Sequence, residues 1–337
     1  MRRCAGNLVL SLAIAAVSLP LACAAAHEPT LARVVELFEL QDYGEARRVL
    51  EELPEELRRT GHGYYYAGRL DLIHGDHEVA VGSFEKAVAV DNEKCEYHHW
   101  LGTALMRRAI YRSFTGRMGD AMRAVEEFRK AITCDPRDLP PRMTLFQMMA
   151  RSPGMGGATK EDLLQQASAI AEIDSIMGRV ARGTFFQVVE KDMARADAEL
   201  SRAFKLAPEN RAAAIAHADH LWESDQRDEA LLVLRSFVER IPDDKSARFN
   251  LATRIIQSQA DLNGAKAVLN ECLSLQSDTG MPSETMVRWC LGLAHRLIGE
   301  EEEAQREWSV VYEMDGSFDR VLEQNPQLSE LKALIGE

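Results

Sequence analysis

Residues Pro208–Pro242 read PENRAAAIAHADHLWESDQRDEALLVLRSFVERIP. Ala214, His217, Ala218 and Leu221 fall at i, i+3, i+4 and i+7, the spacing of one helix face. Asp225-Gln226-Arg227 interrupts that spacing, Ala230, Leu234 and Phe237 resume it, and Pro242 ends it; proline cannot continue a helix. The unit is two amphipathic helices and a turn. Neither helix can bury its apolar stripe alone, so each pair must lean on a neighbour. The same unit recurs along most of the chain, which predicts an all-α stack of helix pairs.

Upstream, His27–Arg58 forms the first such unit, with Val34, Leu37 and Phe38 before the turn Gln41-Asp42-Tyr43-Gly44 and Ala46, Leu50 and Leu53 after it. The second turns at Gly75-Asp76 and runs to Asn92. A third ends at Pro136 and carries extra residues around Arg107 to Met118, which are expected to lengthen its first helix and the turn. The fourth ends near Ser175 and contains Ser152-Pro153-Gly154-Met155-Gly156-Gly157, which cannot stay helical. Thr159 then starts a helix, with Asp162 placed to complete a capping box. A fifth unit ends at Pro208. Downstream of Pro242 a seventh ends near Gln276, and an eighth follows the insertion Ser277 to Pro282. Residues 317–337, with Val321, Leu322, Leu328, Leu331 and Leu334, are expected to form a capping helix over the last apolar face. The array itself spans residues 27–316.

The chain opens with Arg2 and Arg3, an apolar run from Leu8 to Ala22, and Ala24-Ala25-Ala26. That is the pattern of a signal peptide over residues 1–26, too short to span a bilayer. The expected location is the periplasm or the exterior; a lipid anchor on Cys23 is the alternative reading. The whole chain has 40 basic and 53 acidic residues, a net of −13. Without Arg2 and Arg3 that becomes 38 against 53, or −15. So acidic a chain, with no basic cluster, is a poor match for nucleic acid or an anionic membrane. No second apolar run is long enough to cross a bilayer.

Small and large core residues alternate in a way that resembles the tetratricopeptide repeat, whose period is also 34. Tyr64, Ala67, Gly68, Ala80, Phe84 and Ala87 match its signature in order, as do Leu101, Gly102, Ala124, Phe128, Ala131 and Pro136. Leu291, Gly292, Ala304 and Trp308 match too, with Gly316 in place of the proline. The likeness covers nearly all the chain after residue 26. It implies an α-solenoid of about eight antiparallel helix pairs, with Gly68, Gly102, Ala218, Ala252 and Gly292 letting helices approach closely. It also implies that the first helices line a concave groove where a protein or peptide partner binds. Projecting that register puts Tyr65, Arg69, His99, Met106, Arg107, Phe185, Trp222, Phe249, Trp289 and Arg296 on the groove. Aromatics and arginines are the types that dominate interface energies. The function expected is an exported scaffold or adaptor without catalysis; the alternative is a lipid or other apolar cargo along Phe185, Trp222, Phe249 and Trp289.

Four cysteines follow residue 26. Cys95 falls near the start of one helix and Cys134 near the end of its antiparallel partner; Cys272 and Cys290 fall on consecutive helices. In an oxidising compartment both pairs are disulfide candidates. The glycines before Lys160 lack the Gly-Lys step and preceding strand of a phosphate loop. Three histidine groups, His217 with His220, His74 with His77, and His98 with His99, lack further ligands at metal spacing. No nucleophile elbow or Cys-x-x-Cys occurs. Neither cofactor nor metal is expected.

Overall fold

The computed structural model describes residues 30–152, 158–277 and 280–336. The expected signal peptide, Cys23 and the stretch Pro153–Gly157 lie outside the described residues. Among the described residues eight helix pairs follow one another: α1 (Leu31–Glu39) and α2 (Tyr43–Glu52); α4 (Gly61–His74) and α5 (His77–Val90), after the short α3 (Glu55–Arg58); α6 (Cys95–Ala109) and α7 (Phe114–Cys134); α8 (Leu139–Arg151) and α9 (Lys160–Ile173). Then come α10 (Ser175–Thr184), continued by a π-helical stretch Phe185–Glu190, and α11 (Met193–Leu206); α12 (Arg211–Glu223) and α13 (Arg227–Arg240); α14 (Lys245–Ser258) and α15 (Leu262–Ser274); α16 (Glu284–Leu297) and α17 (Glu301–Met314). The chain closes with α18 (Phe318–Gln324), α19 (Pro326–Lys332) and a 3-10 turn Ala333–Ile335. Each helix packs mainly against its sequence neighbours, so the fold is the helical-pair stack read from Pro208–Pro242.

Local chemistry sets the boundaries. In six pairs the turn residue lies in the left-handed region: Gln41, Gly75, Lys191, Asp225, Gln259 and Gly299. That conformation ends the first helix. A cap then starts the second: Asp42 accepts from the Glu45 amide, Asp192 from that of Arg195 and Asp261 from that of Gly264. Thr159 and Asp162 form the expected capping box at the start of α9. Each saved cap is worth about 1 kcal/mol.

Within pairs, a small residue on the first helix receives a ring from the second. A Cβ on Gly68 would stand 2.9 Å from Phe84, one on Gly102 2.9 Å from Phe128, and one on Gly292 2.5 Å from Trp308. The Trp308 indole N–H also donates to the Trp289 carbonyl at 3.2 Å. These contacts place the pairs at the close spacing the tetratricopeptide resemblance implied.

The extra residues of the third pair go elsewhere than expected. They extend the second helix, not the first: α7 has 21 residues, α6 only 15. The added turns are held by a buried fork in which Arg108 donates to both oxygens of Asp120, at 2.6 and 2.8 Å. Arg108 and Arg112 both reach Glu78 on α5 as well.

First helices touch the next first helix in six of the seven steps: α1 with α4, α4 with α6, α8 with α10, α10 with α12, α12 with α14 and α14 with α16. Successive second helices do not approach to the same degree. The first helices therefore form the inner, concave side. The stack curves far enough that its last pair and tail reach the second and third pairs. Gly280, before α16, lies so close to the Leu72 carbonyl that a Cβ there would be 2.6 Å away. Arg320 on α18 donates to the Tyr111 carbonyl at 2.7 Å. A cavity of about 740 Å³ occupies this seam, between His77, Arg107 and Tyr111 on one side and Met281, Met314 and Val321 on the other.

Candidate partner-binding groove

In the sixth and seventh pairs, α12 carries Asp219, Trp222 and Glu223, and α14 carries Arg254. Arg254 Nη2 lies 2.8 Å from Asp219 Oδ1. The same guanidinium sits 4.8 Å from the centre of the Trp222 ring, and Arg227 reaches that ring from the other helix of the pair at 5.5 Å. Gln187, from the π-helical stretch, donates to Glu223 at 2.6 Å, and its carbonyl accepts from His220 Nδ1 at 3.3 Å. α12 is thus tied by polar contacts to the helix before it, through Gln187, and to the first helix after it, through Arg254. Burial pushes the Asp219 carboxyl up; Arg254 and then Arg151 pull against that, while Glu223 adds to the rise. The carboxylate sits low in a concave surface yet stays in reach of water. Such an arrangement offers a flat apolar face and fixed charges of both signs, the anchor chemistry of protein interfaces.

The ten residues projected onto the groove separate into groups. Trp222 is half-buried, packed against the core of pairs six to eight, with Arg254 and Arg227 over its ring. Arg69 is half-buried and lies 3.7 Å over the Trp100 ring and 4.8 Å over Phe38, and its Nη1 donates to the Tyr65 hydroxyl at 3.0 Å. His99 stacks near Trp100 and Phe128, and burial together with Arg69 lowers its pKa to about 4. Met106 is half-buried and packs on the core of pairs two to five. The expectation fails for Tyr65, Phe185, Phe249 and Trp289, which are buried core residues. Tyr65 is hemmed by Tyr66, Phe84 and Tyr97, Phe185 by Phe186, and Phe249 and Trp289 join the core of pairs six to eight. First helices on a tight inner radius squeeze together, so aromatic rings fill the gaps between them. Arg107 lines the seam cavity and not the mid-groove. Arg296 is exposed and paired with Glu301, just past the turn after α16. An apolar trough for lipid loses its basis, because three of its four aromatics are sealed in packing.

Asp219, Glu223, Gln187 and Arg254 are the groove residues that the sequence pattern did not single out. The 34-residue period held a usable signal: added to Asp219 and Glu223 it lands on Thr253 and Gln257, beside Arg254.

Cys95 and Cys134 form a disulfide, with Cα atoms 5.4 Å apart, joining the start of α6 to the end of α7. Cys272 and Cys290 are instead free and buried. Cys290 sits nearly two turns into α16, not at its start, and the Cys272 thiol reaches the Lys245 carbonyl of its own pair at 3.9 Å. Burial pushes both thiols up, that of Cys272 to about 12. Among the histidines, His98 bonds Glu127 at 2.5 Å and the Asn92 carbonyl at 2.9 Å. His217 and His220 face Asp197 at 4.0 and 3.9 Å beside a cavity of about 540 Å³ between α11 and α12. Among the described residues no group of three or more His, Cys, Asp or Glu is arranged to hold a metal ion. No helix of the described residues is long and apolar enough to cross a membrane.

The fold is a stack of helical hairpins. Solved structures similar to the chain include a thermophilic TPR protein of Thermus thermophilus, at 18% identity over 57% of this chain and 97% of that one, TM-score 0.46. Another is YrrB, described as a TPR protein with an unusual peptide-binding site, at 18% identity over 63% of this chain and 100% of that one, TM-score 0.36. A third is the C-terminal part of a TPR repeat-containing protein from Cytophaga hutchinsonii, at 15% identity over 73% and 95%, TM-score 0.43. No family model and no curated protein matches the chain.

Proposed function

We propose that the protein is an exported scaffold or adaptor that binds a protein or peptide partner along its inner face, without catalysis. The observation that carries this reading is the half-buried Trp222 on the first helix of the sixth pair, with the Arg254 guanidinium over its ring and Asp219 paired to that guanidinium. An indole pre-positioned in this way loses little side-chain freedom on binding, which is what makes tryptophan an effective anchor. Export is supported by the Cys95–Cys134 cross-link, since disulfides persist in oxidising compartments, together with the signal-peptide pattern of residues 1–26.

The test is affinity capture from a periplasmic extract with the wild type and with Trp222→Ala. The wild type is expected to retain a partner that the variant loses. Equal capture by both would remove the inner face as the binding surface.

A further inference from the structure

The end of the chain already occupies part of the inner face. Gln327 Nε2 donates to Thr253 Oγ1 at 2.5 Å, and Gln257 Nε2 donates to Glu330 Oε2 at 3.0 Å. Thr253 and Gln257 are one turn apart on α14; Gln327 and Glu330 are one turn apart on α19. The two helices therefore lie side by side in register, with Leu328 and Leu331 fully buried. Repeat symmetry shows what this covers. Asp219 and Thr253 are 34 residues apart and so equivalent positions in consecutive pairs. At the sixth pair that position keeps 33% of its side-chain surface exposed. At the seventh, Thr253 has 0%. The inner face is open where α19 stops and shut where α19 lies.

The covering element has little order of its own. α18 and α19 have seven residues each and are separated by Asn325 alone, with Pro326 opening α19; helices this short do not hold in water by themselves. Their shape comes from the surface they dock on.

We propose that Pro326–Ile335, anchored through α18 at the seam, is a tethered occupant of the groove, and that the partner displacing it is an amphipathic peptide helix of the same chemistry: leucines one turn apart, flanked by a carboxamide and a carboxylate. This rests on the inner face being the binding surface. Release of the tail would extend the open surface from Trp222 through Thr253 and Gln257, one continuous strip along α12 and α14. Because the tail is held close by its own chain, it competes at a high effective concentration. A free peptide reaches the site well only once the tail is weakened.

The experiment uses a fluorescein-labelled peptide of residues 317–336 and two full-length chains, wild type and Leu328→Asp with Leu331→Asp. Fluorescence anisotropy is expected to show the double variant binding the peptide on the order of tenfold or more tightly than wild type, with unlabelled peptide competing. A variant that keeps its helical circular dichroism but binds no peptide, or both chains binding alike, overturns the proposal, while the Trp222 capture result stands separately. Should the variant not fold, hydrogen exchange on the unmodified chain decides. Amides of α18 and α19 are expected to open well before those of α14 and α16, and equal protection overturns the proposal.

Discussion

Asp219 on α12 and Arg254 on α14 are joined at 2.8 Å across two consecutive helix pairs, and the same guanidinium lies 4.8 Å from the centre of the Trp222 ring. Arg254→Ala removes both the counter-charge and the cap over the ring. Loss of one partner of a largely desolvated charged pair costs about 1–3 kcal/mol, and the lower half of that range applies because Asp219 still meets water. The Asp219 carboxyl, already pushed up by burial, is expected to rise further in Arg254→Ala. Carboxyl-resolved NMR titration of wild type and variant checks the direction; an unmoved Asp219 would show that Arg254 does not govern it.

Glycines at the small-to-large contacts give a second prediction. Gly102→Ala drives a Cβ to 2.9 Å from the Phe128 ring, and overpacking of this kind costs about 1–3 kcal/mol. Gly82, within α5, has nothing within 4 Å of its added Cβ. There, alanine reduces the unfolded chain's freedom and favours the helix by about 0.5–1 kcal/mol. Denaturant midpoints of the two variants should move in opposite directions from wild type. Two shifts of the same sign would contradict the packing described for Gly102.

The contrast between those glycines also marks what was legible beforehand. Gly68 and Gly292 were readable because each precedes its ring partner, Phe84 or Trp308, by 16 residues, and Gly102 because the same order survives although the insertion stretches its distance to Phe128 to 26 residues. Helix pairing followed from the same periodicity. The groove was less legible, because a register assigns a face but not a depth. Phe249 and Trp289 have the correct register and still lie in the core, since curvature tightens the inner side and the tail covers it. Tail docking itself depends on Gln327 and Glu330 meeting α14, more than 70 residues away in sequence, and no short-range pattern reports that. The third pair shows a similar limit: the insertion was visible, but its addition to α7 depends on the Arg108–Asp120 fork.

Cysteine chemistry supplies a third prediction. Cys95 and Cys134 are 39 residues apart, and closing a loop of that size stabilises by about 4 kcal/mol in the chain-entropy model. Reduction, or Cys95→Ser with Cys134→Ser, is expected to lower stability by about 2–4 kcal/mol. Cys272 and Cys290 are buried with raised pKa values, so alkylating reagent should reach them only after unfolding. Mass spectrometry of unreduced protein should show one disulfide and two thiols that become labelled in denaturant alone. Labelling of either thiol in the native chain would contradict their burial.

Acid response follows from histidines whose shifts differ in sign: burial lowers His77, His99, His217 and His220, while His98 is raised. Burial, reinforced by Arg107, lowers His77 to about 4, with Asp315 pulling the other way; burial and Arg69 lower His99 to about 4. The unfolded chain takes up these protons near the ordinary histidine value of about 6.5, before the folded chain does. Their contribution is therefore complete above about 6.5 and is lost as pH falls toward 4. His98 is shifted the opposite way, raised chiefly by its bond to Glu127. Its contribution is complete below about 6.5 and is lost as pH rises through its raised folded value. Between pH 7 and 5 the thermal midpoint should thus fall through His77 and His99, by the equivalent of about 1–3 kcal/mol for each. His77→Phe with His99→Phe keeps rings against Tyr111 and Trp100 but cannot titrate. The double variant should lose less stability than wild type over that interval, and parallel curves would mean that neither histidine is held neutral in the fold.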